Sequence, residues 1–536
     1  MVCHRGVGTF LYYSIIKIRR VANMNICVKL SLGLLAMLIP SGLVAKPQLP
    51  NILFILADDL GYGDIACYNS ESKVETPRID GLAEEGMRFT DAHSPATVCT
   101  PSRYSLLTGR MAFRKGSTVV FTGAGGPNLI EEGRLTLPGM LRGKGYETAL
   151  IGKWHVGLTF LDHEGKPVLQ NGPKAVASID WSRPIPDAPI HRGFDHFFGT
   201  ACCPTTDWIY AFIDGDRVPV PPKGKVDRSL FPKNVYTNDF REGFIAPDFE
   251  VDNIDLIFLR KSVDFIEHHV KKSPNKPFFL LHSTQAVHLP SIPAKSFRGK
   301  TKAGPHGDFI AQLDSNVGTL LDKLDELKIA DNTIVMISSD NGPEVTSVVN
   351  MRKDYQHDGA RPWRGVKRDQ WEGGHRVPLI VRWPGTVKAD SVANQSVNLC
   401  DIMATCASIV GVKLPNEAAE DSFDILPVLT GDAGDQEVRP FNLHQTHWEQ
   451  NFALRKGKWK YLHHTGSGGN DYHRWEGLDE YILPEKAPDA PGQLYDLEKD
   501  PGETNNLYFE YPKLVRELKF ELQKALYSGR TAPLRN

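Results

Sequence analysis

Along this chain, short unbroken apolar runs alternate with stretches in which apolar side chains recur every three or four positions. Residues 51–57 (N-I-L-F-I-L-A) form one such run, the pattern of a strand buried on both faces of a parallel sheet. Similar runs predict strands at 88–92, 147–151, 277–282, 333–338 and 379–382. Between them, helical spacing predicts helices over 77–85, 137–142, 252–271 and 398–410. The strongest amphipathic helix is 308–328, with Ile310, Leu313, Val317, Leu320, Leu321 and Leu324 on one face. This alternation predicts an α/β fold, a large central and mostly parallel sheet flanked by helices.

The texture changes near residue 436. Residues 451–463 alternate as antiparallel strands do, 492–507 give a short strand and an acidic turn, and 511–528 form a last amphipathic helix. A smaller α+β domain over 436–536 is therefore expected beside a main domain over 46–435. Residues 158–250 are rich in proline, glycine and scattered aromatics, as expected of long insertions at the mouth of a site.

Residues 1–45 read as an export signal: a basic region ending at Lys29, an apolar run over 30–40, and small residues leading to Ala45. Met24 offers a second start that makes a well-proportioned signal by itself. No cysteine stands just after the apolar run, and no later run is long enough to span a bilayer. The expectation is an exported protein, periplasmic or secreted, with no stable membrane anchor.

Charge sharpens the picture. Lys+Arg total 62 against Asp+Glu 64, a net charge of −2, with no basic excess to suit nucleic acid. Arg5, Lys17, Arg19, Arg20 and Lys29 all lie in the signal, which holds no acid, so its removal takes the charge from −2 to −7. Such a body binds an anion only by gathering its cations locally. Of eight cysteines, Cys3 and Cys27 leave with the signal and Cys99 has a separate role argued below. The odd remainder implies a free thiol or an intermolecular bond; no pair has zinc-type spacing.

Chemistry gathers at the carboxyl ends of strands in open α/β sheets, and four predicted strands lead into charged residues: Asp58 and Asp59; Lys153 and His155; His288; Asp340 and Asn341. Asp58, Asp59, Asp340 and Asn341 form an all-oxygen set, suited to a hard cation, Ca²⁺ or Mg²⁺, rather than zinc. Arg103, Lys153, Lys367, His155 and His288 supply positive charge and donors for a bound anion. Residues 98–110 read V-C-T-P-S-R-Y-S-L-L-T-G-R. Pro101 suits a helix start, which places Cys99 at or just before a helix N-terminus, where unpaired N–H groups favour an anion.

Cys99-x-Pro101-Ser102-Arg103 followed by Leu107-Thr108-Gly109-Arg110 resembles the signature of the formylglycine-dependent type I sulfatases of the alkaline phosphatase superfamily. The resemblance runs in motif order over most of 50–435, and more loosely through Gly457-Lys458-Trp459-Lys460 and Leu494-Tyr495-Asp496. It implies that a formylglycine-generating enzyme oxidises Cys99 to an aldehyde, which completes a metal site with Asp58, Asp59, Asp340 and Asn341. It implies that Arg103 holds the hydrated aldehyde and that Lys153 and His155 belong to the G-K-W-H element. His288 matches the H-x-P histidine, and Lys367 the lysine ahead of Glu372-Gly373-Gly374. The implied reaction is sulfate-ester hydrolysis: one hydroxyl of the aldehyde hydrate attacks sulfur, His288 and Lys367 serve the leaving oxygen, and His155 helps the second hydroxyl expel sulfate. Implied substrates are a sulfated carbohydrate or an aryl sulfate, and Trp208, Tyr210, Trp363 and Trp371 suit stacking on sugars. A formylglycine-dependent phosphonate monoester or phosphodiester hydrolase is the alternative, and a silent sulfated-glycan binder the rival outside catalysis.

Overall fold

The computed structural model describes residues 49–535 apart from 117–119, 122–125, 449 and 476. The proposed export signal lies outside the described residues. A nine-stranded mixed sheet carries the architecture. Its strands in chain order are β1 (Asn51–Ala57), β2 (Met87–Phe89), β3 (Glu147–Lys153), β4 (His196–Thr200), β5 (Ile213–Asp214), β6 (Phe278–Ser283), β7 (Thr333–Ser339), β8 (Leu379–Arg382) and β9 (Ser391–Ala393). Across the sheet they run β9-β2-β8-β7-β1-β6-β3-β4-β5. The centre is parallel, while β8 lies antiparallel to both its neighbours and β5 is antiparallel to β4.

β1 lies in the middle, and all seven of its residues are buried, which is why its apolar run shows no alternation. Two groups of helices pack around the sheet. One comprises α1 (Pro77–Glu84), α4 (Ile254–Lys272) and α5 (Gly304–Glu326); the other comprises α2 (Cys99–Thr108), α3 (Leu137–Gly143) and α6 (Ile402–Ile409). All ten residues of α2 are buried, and two of its hydroxyls bond back to the preceding turn: Ser105 Oγ to Pro101 O and Thr108 Oγ1 to Tyr104 O, both at 2.8 Å. A glycine in the left-handed conformation, Gly109, ends it.

A second sheet holds four antiparallel strands, β10 (Asn442–Gln445), β11 (Phe452–Lys456), β12 (Trp459–Leu462) and β13 (Gln493–Asp496). The helix α7 (Pro512–Tyr527) packs on it through Val515, Leu518 and Leu522.

Three expectations change in detail. The single strand expected at 88–92 is two, β2 in the large sheet and Ala92–His93 in a separate pair with Val397–Asn398. β3 runs two residues further than expected, so Lys153 is the last residue of a strand and not part of the loop after it. α5 starts at Gly304 rather than 308, on a Pro305 that suits a first turn.

Candidate active site

Parallel register brings distant segments to one edge. Ala57 pairs with Ser339, Leu56 with Ser283, and Ser283 with Gly152. The residues that follow these positions therefore rise side by side: Asp58 and Asp59 after β1, Asp340 and Asn341 after β7, and Lys153 closing β3. Gly152 makes this possible. A Cβ there would meet Ser283 O at 1.7 Å, and its φ of +119° disfavours any side chain. Asp59 and His155 also take positive φ, 60° and 58°, a conformation that costs a non-glycine residue about 1–3 kcal/mol and concentrates at functional sites.

The acids form a buried floor. One carboxylate oxygen from each of Asp58, Asp59 and Asp340 lies within 4.8 Å of the others. Cations surround them. Lys153 Nζ is 2.5 Å from Asp58 Oδ2, Lys367 Nζ is 2.6 Å from Asp59 Oδ1, and Arg103 Nε donates to Asp340 Oδ2 at 2.7 Å. Arg103 Nη1 also donates to Ser283 Oγ at 2.7 Å, and Asn341 Nδ2 to Asp59 Oδ1 at 2.6 Å. The lysines assigned to an anion thus lie on the carboxylates themselves. Burial works against ionising Asp58, but Lys153, His288, Arg103 and Lys367 together hold it well below the ordinary carboxylate range. Burial likewise opposes the charge on Lys153, and Asp58 keeps it protonated.

Above this floor opens a cavity of about 530 Å³ lined by Cys99, His155, His288 and Lys367, among others. Cys99 is the first residue of α2, preceded by an extended Val98. Its thiol donates to Cys203, and this bond together with burial pushes it up to about 11. His155 and His288 point to the same spot, each with a ring nitrogen 3.7 Å from Cys203 Sγ. His288 Nε2 is also 3.6 Å from Asp59 Oδ2. The loop that carries His288 is pinned twice. Asp255 accepts from Gln285 N at 2.8 Å and Ala286 N at 3.0 Å, and Val287 N donates to Asp58 O at 2.7 Å.

All ten residues singled out from the sequence therefore meet in one place. A hard cation fits that place. Asp58 Oδ1 and Asn341 Oδ1 are buried oxygens without a hydrogen-bond partner, a condition that normally costs about 1–3 kcal/mol each. A divalent ion held by Asp58, Asp59, Asp340 and Asn341 would give both oxygens a partner.

The chain as a whole is similar to known proteins. The chain matches the sulfatase family over residues 50–412, and the C-terminal region of N-sulphoglucosamine sulphohydrolase over 364–530. An N-acetylgalactosamine-6-O-sulfatase of Bacteroides thetaiotaomicron is 32% identical over 502 residues, 88% of this chain and 92% of its own. The chain belongs to the sulfatase family. It is a sulfuric ester hydrolase. Human arylsulfatase A is 31% identical to this sulfatase over 482 residues, covering 87% of this chain and 84% of its own. A solved B. thetaiotaomicron structure, described under metabolism of multiple glycosaminoglycans, superposes with a TM-score of 0.75 at 31% identity, covering 89% of this chain and 99% of that one.

Several cavity residues of the sulfatase carry no sequence signal. Glu344 clamps Arg368 through two bonds, at 2.6 and 2.8 Å, and lies 3.6 Å from Lys367. Asp239, Arg241, His447, Trp475 and Cys203 complete the wall. The composition of 158–250 places insertions at the mouth without saying which side chains face in. The aromatics expected to stack on sugars are corrected in part. Tyr210 and Trp371 are buried, Tyr210 bonded to Thr205 O and Trp371 to Gln493, because both fill core. Trp363 is packed under Arg376, whose guanidinium carbon lies 3.8 Å from the ring centroid. Trp208 packs with Arg241. Among the described residues all six cysteines are unbridged, and no helix is long and apolar enough to cross a membrane.

Proposed function

We propose that this protein removes sulfate from a sulfated carbohydrate, using formylglycine made from Cys99 and a hard divalent cation, Ca²⁺ or Mg²⁺, at Asp58, Asp59, Asp340 and Asn341. The observation that carries it is the pair of orphaned buried oxygens, Asp58 Oδ1 and Asn341 Oδ1, beneath the cavity that Cys99 lines. The carbohydrate reading is supported by relatives named for N-acetylgalactosamine-6-sulfate esters and by the glycosaminoglycan setting of the superposed structure.

The cation would polarise sulfate oxygens and offset the charge of three carboxylates. Formylglycine supplies a hydrated aldehyde, with one hydroxyl to attack sulfur and a second to expel sulfate. The chain's own groups do the rest. Arg103, whose guanidinium is locked on Asp340 and Ser283, holds residue 99 in line. Lys367, which lines the cavity, presents its ammonium group to the sulfate oxygens, and Lys153, buried on Asp58, adds positive charge beneath them. His288 and Lys367 donate to the leaving oxygen, and His155, its Nε2 2.5 Å from Phe121 O, handles the proton of the second hydroxyl. Fixed donors of this kind need no reorganisation as charge develops. Maturation calls for a formylglycine-generating enzyme as partner. Export to the periplasm or beyond, and a division into a catalytic part over 46–435 and a smaller part over 436–536, belong to the same reading.

Rates on an aryl sulfate and a phosphodiester, followed by a panel of defined sulfated sugars, test it. Sulfate ester hydrolysis well ahead of phosphodiester hydrolysis, with one sugar in the panel desulfated, is expected. Faster phosphodiester hydrolysis would assign the site to the alternative chemistry.

A further inference from the structure

A second thiol faces the catalytic position. Cys203 lies in the segment after β4, and with Cys99 it lines the catalytic cavity. Its sulfur accepts the Cys99 thiol and stands 3.7 Å from both His155 Nδ1 and His288 Nε2. Cys99 and Cys203 thus share one cavity wall, and the two histidines that line it with them hold the Cys203 sulfur there. The neighbouring Cys202 is engaged elsewhere, by Asp207, and does not line the cavity. Both thiols are free.

We propose that in a chain whose Cys99 has escaped conversion, Cys99 and Cys203 join as a disulfide across the wall of the catalytic cavity. A small-molecule disulfide such as oxidised glutathione is the oxidant. The Cys203 sulfur, giving up its proton, attacks one glutathione sulfur and forms a mixed disulfide, and one glutathione leaves as thiol. Cys99 then displaces the second glutathione. One S–S bond forms as another breaks, the two protein thiols are oxidised by two electrons, and their protons end on two reduced glutathiones. The new bond would draw residue 203 onto the start of α2, between the two histidines. It rests on the sulfatase reading only for the identity of Cys99 as the converted residue; the bond itself does not depend on it.

The test uses the full chain made in a host without a formylglycine-generating enzyme, treated with oxidised glutathione and digested without reduction. The Cys99 and Cys203 peptides should appear as one cross-linked species, lighter by two hydrogens than their sum, and reductant should separate them. Cys202→Ser should leave the cross-link in place. Cys203→Ser should leave Cys99 open to alkylation or glutathionylation, with an unchanged melting temperature showing that the chain is folded. A Cys99 that stays alkylatable in the folded, oxidised parent chain, or that pairs with Cys202, would overturn the proposal. Neither outcome bears on whether the converted chain hydrolyses sulfate esters, which its turnover on aryl sulfate decides separately.

Discussion

Lys153 is fully buried and paired with Asp58 at 2.5 Å. An ammonium so placed is tolerated only with its partner, so the two residues stand or fall together. Lys153→Ala should lower kcat on aryl sulfate on the order of 10²–10³-fold, the usual cost of one lost fixed donor, as measured by steady-state kinetics on protein checked for folding. Cys99→Ser should bind substrate and accumulate a covalent sulfo adduct detectable by mass spectrometry, because a serine ester has no second hydroxyl to expel sulfate. Full multiple turnover by that variant would reject the diol scheme. The residue types of the site were legible because each follows a short apolar run or sits in a dense motif. Cys203, Glu344 and Arg368 were not. They reach the cavity from loops whose path depends on tertiary packing, and nothing in their local pattern marks them.

The elements act as a scaffold that fixes heights. Gly152 lets β3 approach β6 closely enough for Lys153 to reach the acids. Gly152→Ala, with its Cβ 1.7 Å from Ser283 O, should destabilise the fold by more than about 3 kcal/mol or abolish soluble protein, as read by denaturant unfolding. On α4, Asp255 ties down the His288 loop, and burial pushes its carboxyl up from 3.8 to about 7. The fold thus favours the neutral acid. The folded state holds more protons than the unfolded one between those values, and stability from this group falls as pH rises from about 4 through about 7. Asp255→Asn should flatten that part of the pH–stability curve relative to the parent; an unchanged slope would remove Asp255 as its source. Strands and helices were readable where one period dominated. Their ends were less so: the extension of β3 and the break at Thr90-Asp91 follow from partners far along the chain, among them Arg455, which pairs with Asp91.

At the scale of the whole molecule, the two sheets are joined by a buried ionic cluster. Glu372 accepts from Arg376 Nη1 and Lys460 Nζ, both at 2.9 Å, and Lys460 also pairs with Glu503 at 3.0 Å. Burial opposes ionisation of Glu372, yet Lys460 and Arg455 hold it well below the ordinary carboxylate range. Glu372→Ala strands several buried cations and should cost about 3–5 kcal/mol, measured by chemical denaturation. A loss under 1 kcal/mol would show that the cluster does not hold the sheets together. The smaller sheet was legible from the alternation over 451–463, whereas β10, a four-residue N-L-H-Q strand, has too little pattern to stand out. The account turns on residue 99, and one measurement reaches it most directly: the fraction of residue-99 peptide carrying an aldehyde, determined by mass across preparations of graded maturation and compared with turnover on aryl sulfate. Turnover should rise in proportion to that fraction and vanish with it. Turnover that persists when every residue-99 peptide carries a thiol would contradict the account.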